Sequence, residues 1–167
     1  VKIDIINDNG EVLYPADRTD VYQQKLSHRI VHIMVRLGDA MFIQKRDDTA
    51  SYLPGYYFTS AGGHVDAGKI PEQAAKPELQ EELGLESPLK FLSEFVFDDE
   101  HKRRIFLYET TLQGKMHLTE QEVSGGSFFT PKQILDLPEG KLHPQLMSCL
   151  QYQTTIILTG FTSTLVT

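Results

Sequence analysis

Residues 63–85, GHVDAGKIPEQAAKPELQEELGL, decide how this chain is read. The second half of the segment is rich in Ala, Leu, Glu and Gln, all of which favour helix. Pro71 suits the first helical position, where a missing N–H costs nothing, and Gly84 suits a left-handed stop. The spacing therefore predicts a helix over Pro71–Leu83. At about 100° per residue, Glu78, Glu81 and Glu82 share one face, and Ala75, Leu79 and Leu83 form the adjacent apolar stripe. Such a helix can pack on a sheet through its leucines and present three carboxylates beside that contact.

Like charges at i, i+4 destabilise a helix by roughly 0.2–0.5 kcal/mol. A divalent cation offsets that repulsion directly, because hard Mg²⁺ or Mn²⁺ takes carboxylate oxygens and keeps coordination sites for water and phosphate. The other reading is a solvated acidic face, which helix surfaces often have. The preceding residues favour the first reading. Gly62, Gly63 and Gly68 make a tight loop that ends at the helix, and glycine lets backbone approach a ligand closely. A glycine loop leading into a carboxylate helix suits a metal–phosphate group.

On the N-terminal side, residues 1–16 read as a hairpin about the Asn9-Gly10 turn. TDVYQQKL reads as a short helix, and RIVHIMVRL and MFIQKR as strands split at Gly38-Asp39. SYLPGYYFTSAGGHVDAGK reads as loop with a short strand near Phe58. On the C-terminal side, LKFLSEFVFDD and RRIFLYETTL are strands, GGSFFT a short strand, and PKQILDL and HPQLMSCLQYQ helices. The tail TTIILTGFTSTLVT is β-prone, its pairing open. Strands outnumber helices and the best helix interrupts them, so the expected fold is an α/β (α+β) sandwich, a mixed β-sheet flanked by helices.

With 167 residues and 40% hydrophobic content, the chain is expected to be one domain over residues 1–167. The net charge of −7 argues against nucleic acid as the main partner, yet allows a phosphorylated substrate bridged by a cation. The single cysteine, Cys149, excludes an internal disulfide and fits a reducing compartment. No apolar run reaches the roughly 18 residues of a spanning helix, and the N-terminal residues lack a signal-peptide layout. A cytoplasmic protein without membrane contact is expected. The sequence is compatible with a homodimer.

Residues 63–85 resemble the Nudix box, the loop–helix–loop signature of a family of pyrophosphohydrolases. The family pattern is Gly, five residues, Glu, seven residues, Arg-Glu, an aliphatic residue, any residue, Glu-Glu, any residue, Gly and an aliphatic residue. Gly63, Glu78, Leu79, Glu81, Glu82, Gly84 and Leu85 match it in register. EVSGGSFFTPKQIL resembles a passage that often precedes the family's C-terminal helix. The order SHRIV, QKR, LPGYYFTSAGGHV is similar to the branch containing isopentenyl diphosphate isomerase and its hydrolase-like relatives. Two positions depart from the box: Lys69 stands at its first glutamate and Pro77 at its arginine. That arginine helps orient a metal-binding glutamate, a contact proline cannot make. A proline inside a helix costs about 3 kcal/mol unless the helix bends, and a bend there would re-aim Glu78. Lys69 has two placements open to it, pairing with a box glutamate or pointing to solvent.

The resemblance implies a Nudix-type sandwich and metal-dependent hydrolysis of a nucleoside diphosphate linked to another group. It implies Glu78, Glu81 and Glu82 as Mg²⁺ (or Mn²⁺) ligands with the Gly63 carbonyl beside them. Glu81, or Glu122 from the later loop, is the candidate general base. Arg46 and Gly62 are the candidate substrate contacts. Glu122 also reads as a surface acid and Arg46 as a salt-bridging residue. Tyr56, Tyr57 and Phe58 suit either core packing or stacking on a base. His28 and His64 occupy positions of metal-binding histidines in the isomerase relatives, although lone histidines are more often structural. The isomerase's catalytic cysteine would fall near Gly62, so isomerisation is not expected. The departures at Lys69 and Pro77 favour an alternative: a Nudix-fold nucleotide-binding or regulatory module with little or no turnover.

Overall fold

A computed structural model of the chain describes residues 1–49, 53–118 and 125–152. The elements run β1 (Lys2–Ile6), β2 (Val12–Asp17), α1 (Arg18–Gln23), β3 (His28–Leu37), β4 (Ala40–Lys45), β5 (Tyr57–Phe58), β6 (Ala61–His64), α2 (Pro71–Leu83), β7 (Lys90–Asp98), β8 (Lys102–Thr111), β9 (Gly126–Phe129), α3 (Pro131–Leu135) and α4 (Pro144–Leu150). A 3₁₀ turn, Glu139–Lys141, lies between α3 and α4. The nine strands form one mixed sheet. β3 lies at its centre, parallel to β8 over nine registered pairs from His28↔Arg103 to Arg36↔Thr111. The other named strand pairings are antiparallel.

The alternation of β3 divides the core. Ile30 and Met34 face one side with Ile105, Leu107, Ile134, Leu146 and Leu150, so α3 and α4 cover that face. Val31, Ile33 and Val35 face the other side with Phe42, Ala75, Leu79 and Leu83, so α2 covers that one. Full burial of a leucine is worth about 1.5–3 kcal/mol. Leu79 and Leu83, at 1% and 0% exposure, together offset the cost of about 3 kcal/mol set by Pro77. Packing wins, and α2 continues through Pro77 as one helix. Its ends follow local chemistry: Pro71 opens it, the Ile70 N–H donates to Gln73 Oε1 at 3.0 Å, and Gly84 closes it at φ 64°.

The stretch before α2, read from sequence as loop, contains a strand. β6 has two adjacent glycines and no β-branched residue, so propensity hides it. It forms because β3 offers an antiparallel partner from Ile30↔His64 to Ile33↔Ala61. A Cβ on Gly62 would stand 2.8 Å from the Val31 carbonyl oxygen, which fixes glycine there. Beyond β6, the Ala67 N–H donates to the Lys2 carbonyl at 2.9 Å and the Gly68 N–H to Asp4 Oδ2 at 2.9 Å. The glycine loop is thereby tied to β1, and α2 starts from a fixed point. No helix among the described residues is long and apolar enough to cross a membrane.

Candidate active site

Glu78 and Glu82 lie one turn apart on α2, half-buried, and both face the β6 strap. The Glu78 carboxylate lies directly over Gly63, so that a Cβ there would sit 3.0 Å from Oε2 and inside contact distance of Oε1. Glu82 Oε2 accepts hydrogen bonds from the Gly62 N–H and from Gln44 Nε2, each at 3.2 Å. Glu81 is exposed on the same helix. Gly62, a candidate substrate contact, lines the adjoining cleft, and its N–H is engaged by Glu82.

That cleft encloses about 150 Å³ among His32, Gln44, Arg46, Phe58, Gly62 and Glu82. The Arg46 guanidinium sits 5.5 Å over the Phe58 ring, whose other partner is His143 at 4.3 Å between centroids. Of the three neighbouring aromatics only Phe58 lines the cleft. Tyr57 packs against Phe129 and the α4-side core, and Tyr56 lies under Lys141. A larger groove of about 520 Å³ runs along Lys76, Pro77, Gln80 and Pro88. The chemistry of the smaller cleft, with both a guanidinium and a carboxylate in its lining, makes it the candidate site.

Lys69 does not reach the box glutamates. It pairs with Asp66 at 3.0 Å, and both side chains are more than 40% exposed. Glu122 lies outside the described residues, as does the β-prone tail. His28 and His64 belong to a ring cluster with Tyr22 and His101. The Tyr22 hydroxyl bonds His64, His28 lies 5.5 Å from His64 and 5.1 Å from His101 between centroids, and His28 Nδ1 donates to the Leu26 carbonyl. The cluster joins α1, the start of β3, the end of β6 and the β7–β8 turn.

Two features of the site were missed from sequence. Gln44 projects on the same side of β4 as Phe42, and a polar side chain continuing an apolar row was the available signal. The buried His32, bonded through Nε2 to Gln145 Oε1 at 2.7 Å and through Nδ1 to Thr59 Oγ1 at 2.6 Å, gave none. Its partners are up to 113 positions away in the chain.

Burial lowers both His28 and His32 from 6.5 to about 4. The Nε2 of His28 is buried with no hydrogen-bond partner among the described residues, and charging a buried group without a partner is costly. In the unfolded chain these rings titrate near 6.5. The folded state therefore binds fewer protons between pH 6.5 and 4, and stability rises with pH across that window. Each displacement corresponds to roughly 3 kcal/mol, fully present above about pH 6.5. The melting temperature is expected to be flat from pH 8 to 7 and to fall steeply from 6.5 towards 4.5. A scan by circular dichroism with no fall in that interval would refute the assignment.

Among the described residues no three His, Cys, Asp or Glu side chains close on a common point to hold an ion. Mg²⁺ does not require such a cage; it is commonly held by one or two carboxylates, with waters and substrate phosphates completing its shell. The cradle that Gly63 leaves for Glu78, the fixed Glu82 and the neighbouring backbone carbonyls are hard oxygen donors of the required kind. The donor set fits Mg²⁺ or Mn²⁺ arriving with an anionic substrate.

Comparison with known proteins bears on the same residues. The model of the NUDIX domain matches residues 26–148, which include the strap, α2 and the cleft. Nudix hydrolase YfcD of Shigella flexneri, itself uncharacterized, is 35% identical over 135 residues, covering 79% of this chain and 75% of that protein. The uncharacterized Nudix hydrolase SCO1686 of Streptomyces coelicolor is 33% identical over 150 residues, covering 86% and 78%. The crystal structure of DR0079 from Deinococcus radiodurans superposes with a TM-score of 0.71 at 26% identity, covering 81% of this chain and 87% of that one. A MutT Nudix hydrolase from Burkholderia pseudomallei shares the fold with a TM-score of 0.65 at 18% identity, covering 77% and 98%. With its domain model spanning most of the sequence and relatives above 30% identity along most of their own length, the chain belongs to the Nudix hydrolase family.

Proposed function

We propose that the chain is a metal-dependent pyrophosphohydrolase that cleaves the diphosphate linkage of a nucleoside diphosphate joined to another group, with water as nucleophile. The observation that carries this reading is the pair Glu78 and Glu82 turned onto the Gly62–Gly63 strap beside Arg46. A divalent cation, when bound, neutralises the phosphate oxygens and acidifies a bound water. Glu78, Glu82 and the Gly63 carbonyl would hold it, with Glu81 as a further ligand. Arg46 has the charge and planar fork to grip a phosphate. Its stacking on Phe58 holds the guanidinium at the cleft. Glu81 and Glu122 are the candidates for taking the water's proton.

The alternative of a binding module rested on Pro77 and Lys69. α2 continues through Pro77 and Lys69 pairs with Asp66, so neither disrupts the helix or occupies the box glutamates, but the glutamate and arginine of the box are still missing and the binding module stands as the second reading. Within the family we favour the hydrolases of the isomerase-like branch and not isomerisation. By that resemblance the isomerase's cysteine would fall near Gly62, where this sequence has none. Cys149 is buried in α4, where burial pushes its thiol above the ordinary range.

The test is turnover of a panel of nucleoside diphosphate-linked compounds in Mg²⁺ or Mn²⁺. The expected result is a kcat of about 1 per second or more on at least one of them, lost with chelator and restored by the metal. Tight nucleotide binding in a calorimeter with no turnover across the panel would establish the binding module instead.

A further inference from the structure

We propose that Gln44 is a positioning residue that aims Glu82 from the sheet. The proposal rests on the metal-dependent reading above. Position 77 of α2 is a proline, which has neither a polar side chain nor an N–H. The two lysines of the segment are committed elsewhere, Lys69 to Asp66 at 3.0 Å and Lys76 to Glu72 at 3.1 Å. Two donors reach Glu82 from β4 and β6. Gln44 Nε2 and the Gly62 N–H converge on the same oxygen, Oε2.

The geometry of Gln44 allows one orientation. Its amide nitrogen donates to the Ser60 carbonyl at 2.5 Å and to Glu82 Oε2 at 3.2 Å, using one hydrogen for each. Turning the amide over would press its oxygen against a carbonyl and a carboxylate, two acceptors at once. Ser60 is itself anchored. It is fully buried, its Oγ accepting from the Val35 N–H at 2.8 Å and donating to the Phe42 carbonyl at 2.6 Å. The clamp on Glu82 is therefore rooted in the backbone of β3 and β4. A carboxylate gripped at one oxygen by two fixed donors loses its rotational freedom before a cation arrives. Partners of this kind commonly change metal affinity by about 10–100-fold when removed.

Gln44→Leu removes the side-chain amide, with its bonds to Glu82 and to the Ser60 carbonyl, at similar volume, and Gln44→Glu keeps the shape but sets a carboxylate against Glu82. The probe is Mn²⁺ with imidodiphosphate, a diphosphate that resists hydrolysis, with binding of the pair followed by water-proton relaxation. Steady-state kcat and KM are measured alongside on the best compound of the panel. The expected result for Gln44→Leu is binding weakened about 10–100-fold and a lowered kcat, with substrate KM moved less than threefold. Should Gln44→Leu not fold, Gln44→Glu carries the same expectation. Wild type that binds Mn²⁺–imidodiphosphate, beside a folded variant that binds within threefold of it, would overturn the role of Gln44 alone. Wild type that does not bind the pair would overturn the metal reading and the proposal together.

Discussion

Glu82→Gln is expected to lower kcat by at least about 10²–10³-fold, the scale set by removing one preorganised electrostatic contact from an active site, while leaving the protein folded. The two donors on Oε2, Gln44 Nε2 and the Gly62 N–H, require an acceptor. The introduced amide can meet them only by presenting its carbonyl oxygen, which turns its NH₂ towards the place of the cation. Presenting the NH₂ instead leaves both donors unmet. Either way one hard anionic ligand is lost. Stability should move the opposite way. Glu78 and Glu82 are like charges at i, i+4, and removing one relieves roughly 0.2–0.5 kcal/mol of repulsion. Lower turnover together with an equal or higher melting temperature is the signature of a carboxylate retained for chemistry. Unchanged turnover would leave α2 with no catalytic role.

The helix was legible because its signals are local. Pro71, Gly84 and the Ala75/Leu79/Leu83 stripe each act within a turn or two, and the structure holds them as read. The N-terminal hairpin and β3–β4 were legible for the same reason, through Asn9-Gly10, Gly38-Asp39 and runs of β-branched residues. What escaped was non-local. β6 exists because β3 accepts it as a partner, and the parallel β3–β8 pairing joins segments more than 70 positions apart. The clamp on Glu82 needs β4, β6 and α2 together, and no window of sequence contains all three. Lys69 shows the reverse case. An acid three residues before it, Asp66, was in plain view, and that local pairing settled which of its two placements applies.

Gly63→Ala is expected to remove most activity at almost no cost in stability, because the added methyl meets the mobile end of one side chain. At Gly62 a Cβ would strike backbone, the Val31 carbonyl at 2.8 Å, and strand pairing would have to give way. At Gly63 the three nearest atoms are all in the Glu78 carboxyl group. That group can move by rotation about its own side-chain bonds, so the sheet and α2 need not shift. The fold should survive with a melting temperature within a few degrees of wild type, an alanine at an extended position costing little. The carboxylate, however, must leave the place where it now lies against the strap. Displacing a reacting or ligating group by about 1 Å can cost on the order of 10²-fold in rate, and the same displacement should weaken binding of Mn²⁺–imidodiphosphate. Comparison with Glu78→Gln separates the two sources of loss. If Gly63 matters only by leaving room for Glu78, the double variant Gly63→Ala/Glu78→Gln should be no worse than Glu78→Gln alone, since the methyl then displaces a group already disabled. Additive losses would mean that the backbone at Gly63 contributes on its own account, through its carbonyl.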